Sequence, residues 1–143
     1  MKKYLYVLLV VCLLSVVAVG CGGGADGGGK TEDGVTKVKL ASHNAVIEGN
    51  AYRVRYEADI QEAAAAAIDS GLDVSYASFV SNWDPATESQ QLENSINEGY
   101  DILLVNPVAP TGLDPIIEKA LDADIVYINC DCEYYSDKIL NVA

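Results

Sequence analysis

From Val35 onward the chain alternates between four short apolar or β-branched runs and three longer segments with helical spacing. This alternation restricts the fold more than any other feature. The first run, "VTKVKLAS" (Val35–Ser42), reads as a strand. In "NAYRVRYEADIQEAAAAAIDSG", Tyr56, Ile60, Ala64, Ala67 and Ile68 recur at three- and four-residue intervals and Gly71 supplies a stop. That spacing predicts a helix buried along those positions. "LDVSYASF" alternates as a second strand. "WDPATESQQLENSINEG" then places Asp84 as N-cap, Pro85 at the first helical position and Glu88 near the positive end of the helix dipole. Leu92 and Ile96 fall on its buried face, and Gly99 ends it. "DILLVN" and "DIVYIN" are almost wholly apolar, as strands covered on both faces are. Between them "TGLDPIIEKALDA" predicts a third helix, with Thr111 as cap and Pro115 in the first turn. Strands joined by crossover helices run parallel with right-handed connections, so the expected fold is a doubly wound α/β parallel sheet.

Ligands of such sheets bind beyond the carboxyl ends of the strands, near the point where strand order reverses. Ser42, His43 and Asn44 follow the first predicted strand, and Tyr52 and Arg53 open the next helix. Asn82, Trp83 and Asp84 follow the second strand, Asn106 and Pro107 the third, and Asp131 the fourth. This set lacks a nucleophile paired with a base, a metal-ligand cluster and a glycine-rich phosphate loop, which argues against an enzyme and predicts no cofactor or metal. Its amides, carboxylates, guanidinium and aromatics suit a neutral, hydroxyl-rich ligand, since Asn and Asp serve hydroxyls and a flat ring packs on an apolar sugar face. Asn44, Tyr52, Arg53, Trp83, Asn106 and Asp131 are therefore the ligand-binding candidates. Each position also has a purely structural account. Asn106–Pro107 closes a strand with a turn, Trp83 and Asp84 form a staple and cap, and Tyr52 and Arg53 cover a helix start. His43, one imidazole without a partner, reads as a solvated loop residue.

The stretches "VKLASHNAVIEGNAYRVR", "ESQQLENSINEGYDILLVNPVAP" and "GLDPIIEKALDADIVYINCD" resemble the N-terminal lobe of type I periplasmic sugar-binding proteins, the ribose-binding-like receptors of ABC transporters. The resemblance covers essentially everything from Val35 and is most specific in "GYDILLVNPVAPTGLDPIIEKA". It implies a flavodoxin-like lobe, a sugar or similar small polar ligand, and ABC permease subunits as partners. An alternative on the same fold is a sugar-sensing receptor feeding a chemotaxis or two-component signalling protein. By the resemblance, Asn106 stands at the family's sugar-binding asparagine after the third strand and Asp131 at its sugar-binding aspartate. Asn44 and Tyr52 lie in the first-strand loop that supplies a polar contact and aromatic walls. Family members often carry arginine after the aspartate, where this chain has Cys132. Type I receptors close two lobes over the sugar, and this sequence of 143 residues ends at "DKILNVA". The expectation is a partial N-terminal lobe over 35–143, a half-site binding sugar weakly or not at all, with an open sheet edge and an apolar patch.

"MKKYLYVLLVVCLLSVVAVG", residues 1–20, has the basic start and unbroken apolar run of an export signal. The following "AVGC" resembles the lipobox of bacterial lipoproteins, with Ala18 where leucine is usual. That resemblance implies cleavage before Cys21, a lipid on its sulfur and a protein tethered at the extracytoplasmic face of a bacterial membrane. An uncleaved membrane helix is the other reading of the same run. Residues 21–34 hold seven of the twelve glycines and read as a flexible linker. Without Lys2 and Lys3, seven basic residues face twenty-one acidic ones, a balance that repels phosphate backbones and excludes nucleic acid as a partner. Cys130 and Cys132, at i and i+2, share one strand face, which suits a disulfide poorly, and no further metal ligands lie near in sequence.

Overall fold

The computed structural model describes residues 31–32, 35–131 and 138–142. The predicted signal peptide, Cys21, most of the glycine-rich segment, Cys132, Tyr134 and Tyr135 lie outside the described residues. Elements follow the order β1 (Thr31–Glu32), β2 (Val35–Asn44), α1 (Ala51–Asp69), β3 (Asp73–Val80), α2 (Pro85–Asn97), β4 (Ile102–Asn106), α3 (Asp114–Asp122), β5 (Val126–Cys130) and β6 (Leu140–Val142). Five strands run parallel in the spatial order β3-β2-β4-β5-β6. The short β1, inside the predicted linker, pairs antiparallel with the start of β2. The chain leaves β2 to one side for β3 and returns to the other side for β4, so strand order reverses between β2 and β4. This is the flavodoxin-like winding.

Pairing register assigns the two faces. Ala41 lies opposite Leu103, and Leu103 opposite Tyr127, so these side chains share one face. Leu92 and Ile96 of α2 and Ile116, Ile117 and Ala120 of α3 pack on it to form the apolar core. Leu92, Leu103 and Ile117 are fully buried, each stabilising the fold by roughly 2 kcal/mol relative to exposure. The opposite face carries Ser42 and Asn44 of β2, and α1 lies against it through buried Arg53, Glu57, Ile60 and Ala67. Farther along that face Val126 and Leu140 are exposed.

Local chemistry accounts for the boundaries. Asn50 caps α1, its side chain accepting the Arg53 N–H at 3.1 Å. Asp84 caps α2 by accepting the Thr87 N–H at 2.8 Å, with Pro85 at the first turn as predicted. Gly99, at φ +70°, lets the chain turn out of α2.

Four expectations change. The first strand continues through Asn44 rather than ending at Ser42, which turns His43 from a loop residue into a strand residue. His43 is buried, stacked on Phe79 at 4.8 Å and hydrogen-bonded through Nε2 to Ser95 Oγ at 3.1 Å. On α1 the inward row is Arg53, Glu57, Ile60 and Ala67, leaving Ile68 exposed and Tyr56 half-buried. The apolar spacing had pointed one position round the helix, because two inward positions are charged. Thr111 does not cap α3, which begins at Asp114 after Leu113 with no side-chain cap bond. A fifth parallel strand, β6, pairs with β5 beyond the four that hydrophobic runs had marked, since three residues are too few to show a pattern.

Candidate functional site

The reversal of strand order places the carboxyl ends of β2 and β4 side by side, with Asn44 opposite Asn106 in register. Both asparagines are buried, and Asn106 Nδ2 donates to Asn44 Oδ1 at 3.0 Å. Asn44 Nδ2 in turn donates to Glu57 Oε1 of α1 at 2.7 Å. Ser42 Oγ donates to the same Glu57 oxygen at 2.6 Å, and the Tyr76 hydroxyl of β3 donates to Oε2. Burial, with the Glu57 hydrogen bond next, holds the Tyr76 phenol well above the ordinary tyrosine range.

The second half of the cluster is ionic. Arg53 projects inward from the first turn of α1, and its Nη2 meets Asp131 Oδ2 at 3.0 Å. Its Nη1 reaches the Val46 carbonyl at 3.4 Å, and its guanidinium lies 5.1 Å from the centre of the Trp83 ring. Arg53 is buried, whereas the Asp131 side chain keeps 38% of its surface in solvent. Arg53 also acts electrostatically on Glu88, a buried residue of α2 whose Oε1 accepts the Val108 N–H at 2.9 Å. Burial pushes the Glu88 carboxyl above its ordinary value, and the Val108 N–H and Arg53 pull it back.

Backbone bonds clip the strand-end loops together. The Ser81 N–H donates to Asn44 O at 2.9 Å, the Trp83 N–H to Ala45 O at 2.9 Å, and the Ala45 N–H to Asn106 O at 3.2 Å. Asn82, Trp83 and Asp131 hold φ values of +53°, +63° and +75°. This left-handed region costs a side-chain-bearing residue free energy, and such residues cluster where the surrounding structure over-determines a functional geometry. Among the described residues, Asn106 Oδ1 and Arg53 Nε are buried without a hydrogen-bond partner. Unmet polar atoms at a strand-end crevice are the groups a polar ligand satisfies.

Five of the six predicted residues are thus linked: Asn44 to Asn106, Arg53 to Asp131, and Arg53 to Trp83. Tyr52 is 52% exposed and stacks on Tyr56 with centroids 6.2 Å apart. Trp83, 56% exposed, presents an open aromatic face beside the cluster. Sequence reading missed Glu57, Glu88 and Tyr76, because acids and hydroxyls at such positions look like solvated surface, and it placed Ser42 at the strand end without making it a ligand candidate. For the two glutamates a signal did exist in the three- and four-residue spacing from buried neighbours, Glu57 from Arg53 and Ile60, Glu88 from Leu92. Cys130 lies buried on the α1 side of β5, its Sγ 3.8 Å from the Ile128 carbonyl oxygen, and burial pushes its thiol up to about 11, away from the reactive thiolate form. A shallow depression of about 480 Å³ beside Asn50, Val54 and Arg55 contains none of the clustered residues. Among the described residues, no three His, Cys, Asp or Glu side chains gather as a metal site. No helix there is long and apolar enough to cross a membrane.

A flavodoxin-like lobe with polar groups converging at its switch point defines the class of ligand-binding α/β lobes. The chain belongs to the family described as periplasmic binding protein domain, whose model matches residues 46–142. It is 26% identical over 125 residues to the fructose import binding protein FruE of Bifidobacterium longum, covering 87% of this chain and 36% of that protein. Among solved structures, an ABC transporter solute binding protein from Thermobispora bispora superposes with a TM-score of 0.66 at 27% identity, covering 73% of this chain and 33% of that one. The 5-methylthioribose transporter solute binding protein of Thermotoga lettingae, solved with 5-methylthioribose, gives a TM-score of 0.62 at 25% identity over 73% of this chain and 31% of its own. The chain therefore spans about a third of the length of these relatives.

Proposed function

We propose that the chain is a ligand-binding lobe of an extracytoplasmic receptor that captures a sugar or similar small polar solute and delivers it to an ABC permease. The observation that carries this reading is the linked cluster at the switch point, where Asn106 Oδ1 and Arg53 Nε are buried without partners beside the half-exposed Asp131 carboxylate. An acceptor, a donor and a carboxylate beside an open indole face are what a sugar's hydroxyls and its apolar ring face require. The ligand is held and released unchanged, so the reading includes no catalytic step. It also includes the anchor: Cys21 as the lipid-bearing residue that keeps the lobe at the membrane surface, with residues 21–34 as its leash. The relatives' names, fructose import and 5-methylthioribose transport, support a polyhydroxylated ligand without selecting one.

The test is calorimetric titration of the protein with a panel of pentoses, hexoses and inositols, repeated with Asn106→Ala. Weak saturable binding to one of them, as a half-site gives, and its loss in the variant are the expected result. Binding that survives Asn106→Ala unchanged would move the site elsewhere. For the anchor, cells fed a clickable palmitate analogue should label the wild type and not Cys21→Ser.

A further inference from the structure

The orientation of the two asparagine amides is dictated by a residue outside the proposed ligand set. The Glu57 oxygens accept from Ser42, Asn44 and Tyr76, whereas an amide has one accepting and one donating end. Asn44 must therefore turn its NH2 toward Glu57 Oε1, where the 2.7 Å bond lies. Its Oδ1 is thereby turned to Asn106, so Asn106 must offer its own NH2 there, at 3.0 Å. The opposite end of Asn106, Oδ1, is left buried and unpartnered. Glu57 is itself locked by Ser42 Oγ on Oε1 and by the Tyr76 hydroxyl on Oε2, and it is buried between α1 and the sheet. A carboxylate two hydrogen bonds away thus sets which end of the Asn106 amide is free.

We infer that Glu57 is a positioning residue that fixes the hydrogen-bond polarity of the Asn44–Asn106 pair, so that the switch point offers an acceptor and selects a ligand group that donates. A sugar hydroxyl meets that requirement. A carboxylate or phosphate oxygen does not, because it would face Asn106 Oδ1 acceptor to acceptor. Asp131, with one oxygen on Arg53 and part of its carboxylate in solvent, extends the same preference. The inference deepens the sugar reading and rests on it only for the ligand arm of the test.

The first arm needs no ligand. In a 15N–1H spectrum, the side-chain NH2 groups of Asn44 and Asn106 should exchange slowly with water, since both are held in buried hydrogen bonds. Glu57→Gln gives Asn44 a neighbour that donates as well as accepts, so both amides should lose protection while backbone amides of β4 keep theirs. Tyr76→Phe, which takes one bond from Glu57 without touching Asn44, should leave both protected. Asn106 remaining protected in Glu57→Gln overturns the inference. If that variant does not fold, Glu57→Asp carries the same test, since its shorter carboxylate withdraws from Asn44: lost protection of the Asn106 amide is expected, and its continued protection overturns the inference. The second arm titrates D-ribose, D-fructose, D-galactose and myo-inositol into the wild type and Glu57→Gln. A loss of about tenfold in affinity for whichever binds supports the inference, and equal affinity overturns it while sparing the sugar reading. Should the wild type bind none of the four, an outcome a half-site allows, the amide arm alone decides the role of Glu57.

Discussion

On the α2/α3 side of the sheet, Ala41, Leu103, Val105 and Tyr127 meet Leu92, Ile96, Ile116 and Ile117, and burial there is almost wholly apolar contact. On the α1 side, at the carboxyl ends of the same strands, the buried groups are Ser42, Asn44, Arg53, Glu57 and Asn106. Both sides exclude water, yet only the first gains free energy simply by doing so. The second must recover the desolvation of every donor and acceptor through directed bonds; Asn106 Oδ1 and Arg53 Nε there remain unmet, as does His43 Nδ1 on the first side. The difference separates the part of the molecule that makes it fold from the part proposed to make it selective. The division follows the alternation of side chains along each strand, so neighbouring residues serve opposite purposes.

Substitutions on the two sides should break this contrast if it is wrong. Leu92→Ala, at a fully buried contact between α2 and the sheet, should lose about 3 kcal/mol in urea unfolding. A loss below about 1 kcal/mol would mean the apolar side tolerates a void and is not the main source of stability. His43 is the polar intruder on that side, and burial lowers its imidazole to about 4 from an ordinary 6.5. The unfolded chain takes up the proton first on acidification, so stability present above pH 6.5 is lost as pH falls toward 4. By pH 5 the loss from this group is on the order of 2 kcal/mol. His43→Gln should flatten stability between pH 7 and 5, and an unchanged slope would assign the acid sensitivity to carboxylates.

On the polar side, Asp131→Ala leaves the buried Arg53 charge without its partner. Because Asp131 is 38% exposed, the cost should be about 1.5 kcal/mol rather than that of a fully buried pair. Added salt should change the wild type little if the pair is as sheltered as Arg53 suggests. The smallest effect belongs to a residue on neither side. Asn50→Ala removes one cap bond from α1 and should cost about 1 kcal/mol, read as a drop of a few degrees in Tm. A much larger drop would show that the cap also holds Arg53 in the cluster.

The winding of the sheet was legible from the sequence because the apolar runs are strong and the helices are punctuated, as Asp84–Pro85 and Gly99 show. Asn44, Arg53, Asn106 and Asp131 were legible as neighbours because strand ends in such a sheet must converge. Tyr52 lies at the same level yet stacks on Tyr56, since position in sequence locates a backbone and not a side-chain direction. Glu57 and Glu88 were hidden for a different reason. A helix pattern weighs hydrophobicity, and a charged residue facing inward subtracts from the signal that would place it there. His43 was hidden by the end of β2, where two further residues keep a strand geometry that the polar "SHN" does not announce.

Asn82 and Trp83 sit consecutively in the left-handed region, at φ +53° and +63°, where glycine would relieve about 1–2 kcal/mol at Trp83 and less at Asn82, whose short amide tolerates it. Selection for heat tolerance alone would therefore drift toward glycine in this loop and discard the indole on the way. A library of thermostable variants, sorted without any ligand present, would record the loop as a place of frequent replacement. The same library sorted for retained solute capture should keep tryptophan there, so the two lists compared would test the proposed binding surface by subtraction.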